Sequence, residues 1–205
     1  MQLVYNREGI GDVLVLTLKQ TEEKISTTSY GSVTRIAIES TNEPVAYNIF
    51  GISDYLDVNR YELLNVNQEL IDKIETIFKE NGLDEELHID VSPKFVVGEV
   101  EEVSEHEDSN KLNVCQVNVG DEQLQIVCGA PNVAEGQKVV VAKVGAIMPS
   151  GMEIKDSELR GVSSTGMICA ARELNLPNAP QEKGILVLNN QEKAGEPFQV
   201  RMYEA

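Results

Sequence analysis

The chain has 205 residues, of which 41% are hydrophobic and 25% charged, as is typical of a folded globular protein with one large or two small domains. Its formal net charge of −17 excludes a general attraction to polyanions, so a nucleic-acid site would have to be a local basic patch. The longest apolar runs, such as residues 139–142, are far too short to span a bilayer.

The cysteine pattern indicates a reducing cellular compartment. Cys115, Cys128 and Cys169 are odd in number and widely spaced, which argues against a disulfide framework or a paired-cysteine metal site. We expect all three to be buried as small apolar side chains in a reducing environment. The opening residues lack the basic and then apolar stretch of a secretory signal, so we expect a cytoplasmic protein with no membrane partner.

The first half, residues 1–90, predicts a small α+β domain whose role the pattern does not indicate. Segments 12–19, 33–39 and 44–52 are rich in β-branched residues and predict strands. Apolar residues then recur at helical spacing through residues 68–81, with Asn67 as the N-cap and Gly82 as the stop signal. We expect this helix to pack on the sheet.

The second half, residues 91–205, predicts an all-β domain. Five segments have strand composition: 95–103, 111–119, 123–128, 138–142 and 184–188. Gly98 predicts a bend or bulge in the first strand, and Gly120 with Asp121 predicts a hairpin between the second and third. Five strands with a long excursion before the last favour a five-stranded OB-fold barrel, although an SH3-like barrel or a small sandwich has similar periodicity.

Alternation separates two faces of the second and third strands. The inward positions are apolar: Cys115, Val117, Val119, Leu124, Ile126 and Cys128. The outward positions carry amides: Gln116, Asn118, Gln123 and Gln125. In an OB fold this outer face is the usual ligand surface, where amides would bond to phosphate, ribose or base edges. An ordinary solvated sheet face is the alternative.

Aromatic residues are absent between Phe95 and Phe198. Most single-strand binders of this fold stack bases on aromatic rings, at about 1–3 kcal/mol per base. An RNA ligand of this domain would therefore have to be read through shape, backbone and 2′-hydroxyls.

The excursion between the fourth and fifth strands is rich in glycine, which predicts an ordered path rather than a floppy loop. Its basic residues include Lys143, Lys155, Arg160 and Arg172. Clustered on one side of a barrel, these cations would form the required local patch; solvated charges paired with nearby carboxylates are the alternative. Just before the fourth strand, Asn132 follows a proline turn and is expected to cap a short helical turn.

Catalytic signals are weak. Neither His88 nor His106 neighbours a serine or cysteine in a nucleophile motif, and no glycine-rich phosphate loop is present. His106, Glu107 and Asp108 lie in one predicted loop without a distant Cys/His pair, which disfavours a metal site. We therefore expect no catalytic residue, no metal and no cofactor.

The second half closely resembles a known tRNA-binding domain. Residues 96–120 read VVGEVEEVSEHEDSNKLNVCQVNVG, and residues 125–176 run from QIVCGAPNVAEG to ICAARELNL. This domain occurs in the bacterial phenylalanyl-tRNA synthetase β chain, at the C-terminus of many methionyl-tRNA synthetases and in the endothelial-monocyte-activating-polypeptide family. The resemblance covers about residues 94–200. A domain of this kind behind a small α+β domain is similar to the YtpR-type tRNA-binding proteins of Gram-positive bacteria.

The resemblance implies an OB fold that binds tRNA without catalysis. His106, Lys111 and Leu112 match an H-P-x-A-D-K-L segment, and Lys111 is the basic residue expected on the RNA face. Positions tied to tRNA contact or characteristic of the family are the following: Asn132, Lys155, Arg160, Ser164 and Met167. Three residues depart from the family pattern: Glu107 replaces Pro, Asn110 replaces Asp and Ala170 replaces Ser.

These observations together predict a small tRNA-binding protein that recognises the shape and backbone of tRNA. The alternative is a protein-interaction module of the translation or synthetase machinery. An acidic surface is better suited to a protein partner than to the phosphates of RNA. Some relatives form dimers through this domain, so a homodimer is also considered, although the hydrophobic pattern reveals no seam. The sequence does not say which tRNAs would be bound.

Overall fold

The computed structural model describes residues 1–60 and 63–200. The chain forms two compact units, Met1–Ser92 and a second that begins at Pro93. Each unit contains one five-stranded sheet, so the predicted two-domain organisation is confirmed, and the chain is mostly β with few helices. Within the described residues, neither helix is long and apolar enough to cross a membrane.

The first unit packs a helix on an antiparallel sheet. Its strands are β1 (Gln2–Tyr5), β2 (Val13–Thr17), β3 (Ile25–Tyr30), β4 (Val33–Ile38) and β5 (Pro44–Phe50), in the order β1-β2-β5-β4-β3. Its helices are α1 (Arg7–Ile10) and α2 (Gln68–Glu80), with 3-10 turns at Ile52–Asp54 and Val58–Arg60. The three predicted strands and the predicted helix are confirmed. The two edge strands β1 and β3 were not predicted, because β1 is short and β3 is almost wholly exposed and polar.

Helix α2 begins and ends where its sequence signals lie. The Asn67 side chain accepts a hydrogen bond from the Leu70 amide at 3.0 Å, so it caps the helix as expected. Gly82 follows the helix with φ of 82°, a left-handed conformation that glycine adopts without strain. Phe78 packs against Tyr47 of the sheet with ring centroids 4.6 Å apart.

A partly buried polar cluster includes Tyr47 of this core. The Arg35 guanidinium donates to Glu85 at 2.7 Å and to the Asn42 side chain at 3.0 Å. The Tyr47 hydroxyl donates to the second oxygen of Glu85, and burial together with this bond raises the pKa of Tyr47. The cluster therefore joins the sheet to the segment that follows α2.

Replacement of Arg35 by Met should destabilise the first unit by about 3 kcal/mol, because it leaves Glu85 in a partly buried site without its cation. Five of the six tyrosines precede Pro93, so tyrosine fluorescence during urea unfolding reports this unit. Lys24→Met removes an exposed pair with Glu39 and should cost less than about 1 kcal/mol. Equal transitions for the two variants would contradict the assigned role of the cluster.

The second unit is built on a sheet with the order β12-β9-β6-β7-β8. Its strands are β6 (Phe95–His106), β7 (Ser109–Asn118), β8 (Gln123–Cys128), β9 (Lys138–Ala142) and β12 (Met167–Ile168). A separate hairpin is formed by β10 (Ser157–Leu159) and β11 (Val162–Ser164). The first four predicted strands and the hairpin at Gly120 are confirmed.

The predicted fifth strand, 184–188, is wrong. Its backbone amides bond to three separate places: Ile185 to the Asn132 side chain, Leu186 to the Cys169 carbonyl and Leu188 to the Lys138 carbonyl. A continuous ladder does not form, because Met167 and Ile168 occupy the edge of β9 opposite Ala142 and Val141. The segment keeps a single bridge, Val187 to Val139.

The segment before β12 also reaches the far edge of the sheet. The Thr165 amide donates to the Gln125 carbonyl of β8 at 2.8 Å, and the Val127 amide donates to the Ser164 hydroxyl at 3.0 Å. Residues 164–168 therefore bond to β8 at one end and to β9 at the other, and they close the sheet into a ring.

Gly98 is needed for packing rather than for a bend. The bulges of β6 lie elsewhere, between Val100 and Glu102 and between Glu105 and His106. A Cβ atom on Gly98 would lie 2.6 Å from a Val141 methyl and 2.7 Å from a Val117 methyl. Side chains of the flanking strands β7 and β9 thus fill the space over Gly98. The predicted inward residues of β7 and β8 are all buried, as expected.

Gly98→Ala should destabilise the second unit by about 1–3 kcal/mol, because the added methyl overpacks the contact between Val117 and Val141. Gly129→Ala is the matched control, since its Cβ would meet no atom closer than 3.4 Å. Far-UV circular dichroism during urea unfolding reports both units, while tyrosine fluorescence separates the first. A Gly98 variant as stable as the Gly129 variant would show that the core accommodates the methyl.

Candidate nucleic-acid interface

Two hairpin tips meet beside the ring of strands. We call residues 106–109 the β6–β7 tip and residues 159–162 the β10–β11 tip. Arg160 Nη1 donates to the Asp108 carbonyl at 2.8 Å, and His106 Nε2 lies 3.0 Å from the Leu159 carbonyl. Each tip thus supplies one side chain that bonds to the backbone of the other.

The β10–β11 tip has an unusual residue in its turn. Arg160 and Gly161 have φ of 49° and 82°, both positive, as a two-residue turn of type I′ requires. Asn, Asp and Gly are the residues that tolerate this conformation, whereas a long side chain is uncommon there. Its bond to Asp108 holds the exposed Arg160 against the β6–β7 tip.

Lys111 lies on the strand that leaves the β6–β7 tip. Its amide donates to the Ser109 hydroxyl at 3.3 Å, and its side chain is exposed. Among the residues that the structure describes, its ammonium has no carboxylate partner within 4 Å. Lys111, a predicted site residue, therefore lies three residues along the chain from Asp108, whose carbonyl accepts the Arg160 bond.

The predicted amide face is occupied by its own hydrogen bonds. Gln116 donates to Gln125 at 3.1 Å, and Gln125 donates to the Ser163 carbonyl at 2.8 Å. Asn118 and its neighbour Gln123 donate to the two carboxylate oxygens of Glu101 at 3.0 and 2.6 Å. A ligand at Gln116, Asn118 or Gln125 would have to displace these bonds and approach a carboxylate.

The predicted cations do not form one cluster. Lys143 bonds to Glu122 at 2.7 Å and lies 3.8 Å from Asp121, in the turn at the far end of β7. The 10 residues of β7, at about 3.3 Å each, separate Lys143 from the β6–β7 tip by roughly 30 Å. Lys155 is exposed and lies 3.3 Å from the Glu153 carboxylate, a surface pair that stabilises little.

Three further predicted residues have structural contacts. Asn132 does not cap a helical turn, because its side chain pairs with the amide and carbonyl of Ile185 at 2.8 and 3.1 Å. The Ser164 side chain accepts the Val127 amide and donates to the Gly166 carbonyl, and Ser164 is only 2% exposed. Ser164 thus orders the backbone rather than presenting a hydroxyl. Met167 is half-buried in β12.

The three cysteines are buried, free thiols. Burial raises the pKa of Cys169 to about 12, and a hydrogen bond to Cys128 together with burial raises the pKa of Cys115, so these two thiols remain protonated at neutral pH. The same hydrogen bond lowers the pKa of its acceptor Cys128. In residues 1–60 and 63–200, no group of three or more His, Cys, Asp or Glu side chains is arranged to hold a metal ion.

A known family model matches each half of the chain. A family model described as "Putative tRNA binding domain" matches residues 95–197, half of the chain, and one described as "Domain of unknown function (DUF4479)" matches residues 20–90. "Putative tRNA-binding protein YtpR" of Bacillus subtilis strain 168 is 52% identical over 200 residues, which is 97% of this chain and 100% of that protein.

Longer proteins match over part of their length. The phenylalanine–tRNA ligase beta subunit of Oceanobacillus iheyensis is 63% identical over 40% of this chain and 10% of its own length. The corresponding subunit of Staphylococcus saprophyticus is 40% identical over 70% of this chain and 18% of its own length.

Among solved structures, a MetRS related protein from Pyrococcus horikoshii matches with a TM-score of 0.38 and 21% identity, over 55% of this chain and 97% of that one. Two comparisons agree with each other: this chain is similar to YtpR over 97% of its own length, and half of the chain matches the domain model. The chain therefore belongs to the family of tRNA-binding-domain proteins that includes YtpR of Bacillus subtilis.

Proposed function

We propose that this protein binds tRNA without catalysis, and that the second unit does so as an OB fold through the β6–β7 and β10–β11 tips. The observation that carries this proposal is the exchange of hydrogen bonds between the two tips, which holds Arg160 against the β6–β7 tip, at the start of the strand that carries Lys111. The relative named for tRNA binding is similar over nearly the whole chain.

The OB assignment is supported by the strand order. A ring with the order β6-β7-β8, then residues 164–168, then β9 and back to β6 is what a five-stranded Greek-key barrel requires. In that fold the loops between strands 1 and 2 and between strands 4 and 5 flank the ligand surface. The β6–β7 tip lies in the first of these loops, and the β10–β11 tip lies in the second.

The chemistry of the tips suits a folded RNA backbone. Arg160 offers a planar fork of donors, and Lys111 offers a point charge, both of which bind phosphate oxygens. No aromatic side chain lies between Phe95 and Phe198 for base stacking, so shape and 2′-hydroxyls remain for recognition. We expect weak binding, because Glu107, Asp108 and Glu158 lie in or beside the tips.

The cellular setting follows from the ligand. Binding of tRNA implies a cytoplasmic protein, and three buried cysteines without a disulfide suit the reducing conditions there.

A second candidate function is a protein-interaction module, which one feature of the first unit favours. On the sheet face opposite α2, one row of paired positions across β1, β2, β5 and β4 is uncharged: Val4, Val15, Asn48 and Thr34. Thr17, Ala46, Ile36 and the exposed Phe50 continue this face. An uncharged face of this kind on an acidic protein suits a protein partner of the translation machinery better than it suits RNA.

Combined replacement of Lys111 by Ala and Arg160 by Asn should weaken binding of unfractionated tRNA in a gel-shift assay. Asn is chosen at position 160 because it tolerates the left-handed turn. Two lost phosphate contacts should also reduce the slope of log affinity against log salt by about 2 in magnitude.

The matched control replaces Lys24 and Lys193, which changes the net charge equally at two strongly exposed sites. Control binding should stay close to wild type. Affinity and salt slope that are unchanged in the Lys111 and Arg160 variant would exclude the two tips as the interface. Copurification of a protein without RNA would then support the second candidate.

A further inference from the structure

His106 is a buried imidazole with two fixed hydrogen bonds. It is 4% exposed, and its Nδ1 accepts the Asp108 amide at 3.0 Å. Because Nδ1 accepts, the ring proton resides on Nε2, which donates to the Leu159 carbonyl at 3.0 Å. One ring therefore shapes the β6–β7 tip through Nδ1 and connects it to the β10–β11 tip through Nε2.

The β10–β11 tip depends on such connections for its position. Its hairpin has only three residue pairs, which is short for an independently stable element. Arg160 occupies a backbone conformation that costs a long side chain free energy. Beyond the tip itself, the Ser163 carbonyl accepts the Gln125 side chain at 2.8 Å, so β11 is held to β8 from the other end.

We propose that His106 is a positioning residue for the tRNA site: its Nε2 bond to Leu159 holds the β10–β11 tip so that the Arg160 guanidinium is presented at the β6–β7 tip. The inference rests on the proposed function. It assigns His106 no contact with tRNA, because the ring is buried and both nitrogens are already bonded within the protein. Without the Nε2 bond, we expect the β10–β11 tip to move, so that the Arg160 guanidinium is no longer held in one position.

Two conservative variants separate the two bonds of the ring. In His106→Asn, the side-chain oxygen reproduces the Nδ1 acceptor, as Asn118 does for the amide two residues on, at 2.8 Å. That variant lacks a donor that reaches Leu159. In His106→Gln, the longer side chain places its amide nitrogen near the position of Nε2 and restores the donor. His88→Asn, at an exposed position in the first unit, controls for loss of an imidazole.

The binding experiment titrates unfractionated tRNA against each variant at low salt. We expect His106→Asn to bind about five- to tenfold more weakly, the effect of one lost hydrogen bond on the population of the fixed tip. His106→Gln should recover most of this loss, and His88→Asn should bind as wild type. In an Arg160→Asn background, the His106→Asn change should have little further effect, because no guanidinium remains to be positioned.

Hydrogen exchange of the free protein tests the docking without RNA. Backbone amides of residues 157–164 should exchange about five- to tenfold faster in His106→Asn than in His106→Gln, while those of β7 and β8 change little. Equal exchange in the two variants would overturn the proposal, and so would wild-type tRNA binding by His106→Asn when Arg160→Asn binds weakly. If Arg160→Asn alone binds as wild type, the proposed site fails, and the positioning role fails with it.

Discussion

The second unit depends on the close approach of two strands across Gly98. Val117 of β7 and Val141 of β9 fill the space that a side chain on β6 would take, so β6 is shared by both neighbours at once. With β6 central, residues 164–168 reach from β8 to β9 and complete the ring. The long connection from β9 to these residues is thereby fixed at both ends, and its β10–β11 hairpin is carried to the β6–β7 tip.

Electrostatics limits where a polyanion would bind. The second half carries 10 basic and 17 acidic residues, and the described ion pairs neutralise Lys138 and Lys143. Glu101 receives the amides of Asn118 and Gln123, so the outer face of β7 and β8 presents a carboxylate where a neutral hydrogen-bonding surface was expected. Arg160 remains on the β10–β11 tip, and Lys111 remains on the strand that leaves the β6–β7 tip. The proposed mode of binding is therefore a small phosphate contact set on a fixed scaffold, rather than broad electrostatic attraction.

Local signals predicted the elements whose stability is mostly local. Helix α2 was predicted with its Asn67 cap and Gly82 stop, and the inward and outward alternation of β7 and β8 was predicted residue by residue. The segment 184–188 has good strand composition but is not a strand, because β12 occupies the neighbouring edge of β9. Strand β12 has only two residues and no pattern of its own. Long-range competition for one strand edge decides such cases, and local composition does not contain it.

The sequence by itself determined the two domains, the core positions, the membership of a tRNA-binding family and the list of cations. The sequence also contains Arg160 next to Gly161, but the type I′ turn that the structure shows at this pair was not predicted. Only the tertiary structure decided where the candidates lie: Arg160 bonds to the β6–β7 tip, Lys143 lies at the other end of β7, and Ser164 is buried. It also gave His106 a role, since the partners of its two nitrogens lie 2 and 53 residues away. The sequence gives the chemistry of each side chain, but distant loops come close to each other only when the strands close into a ring.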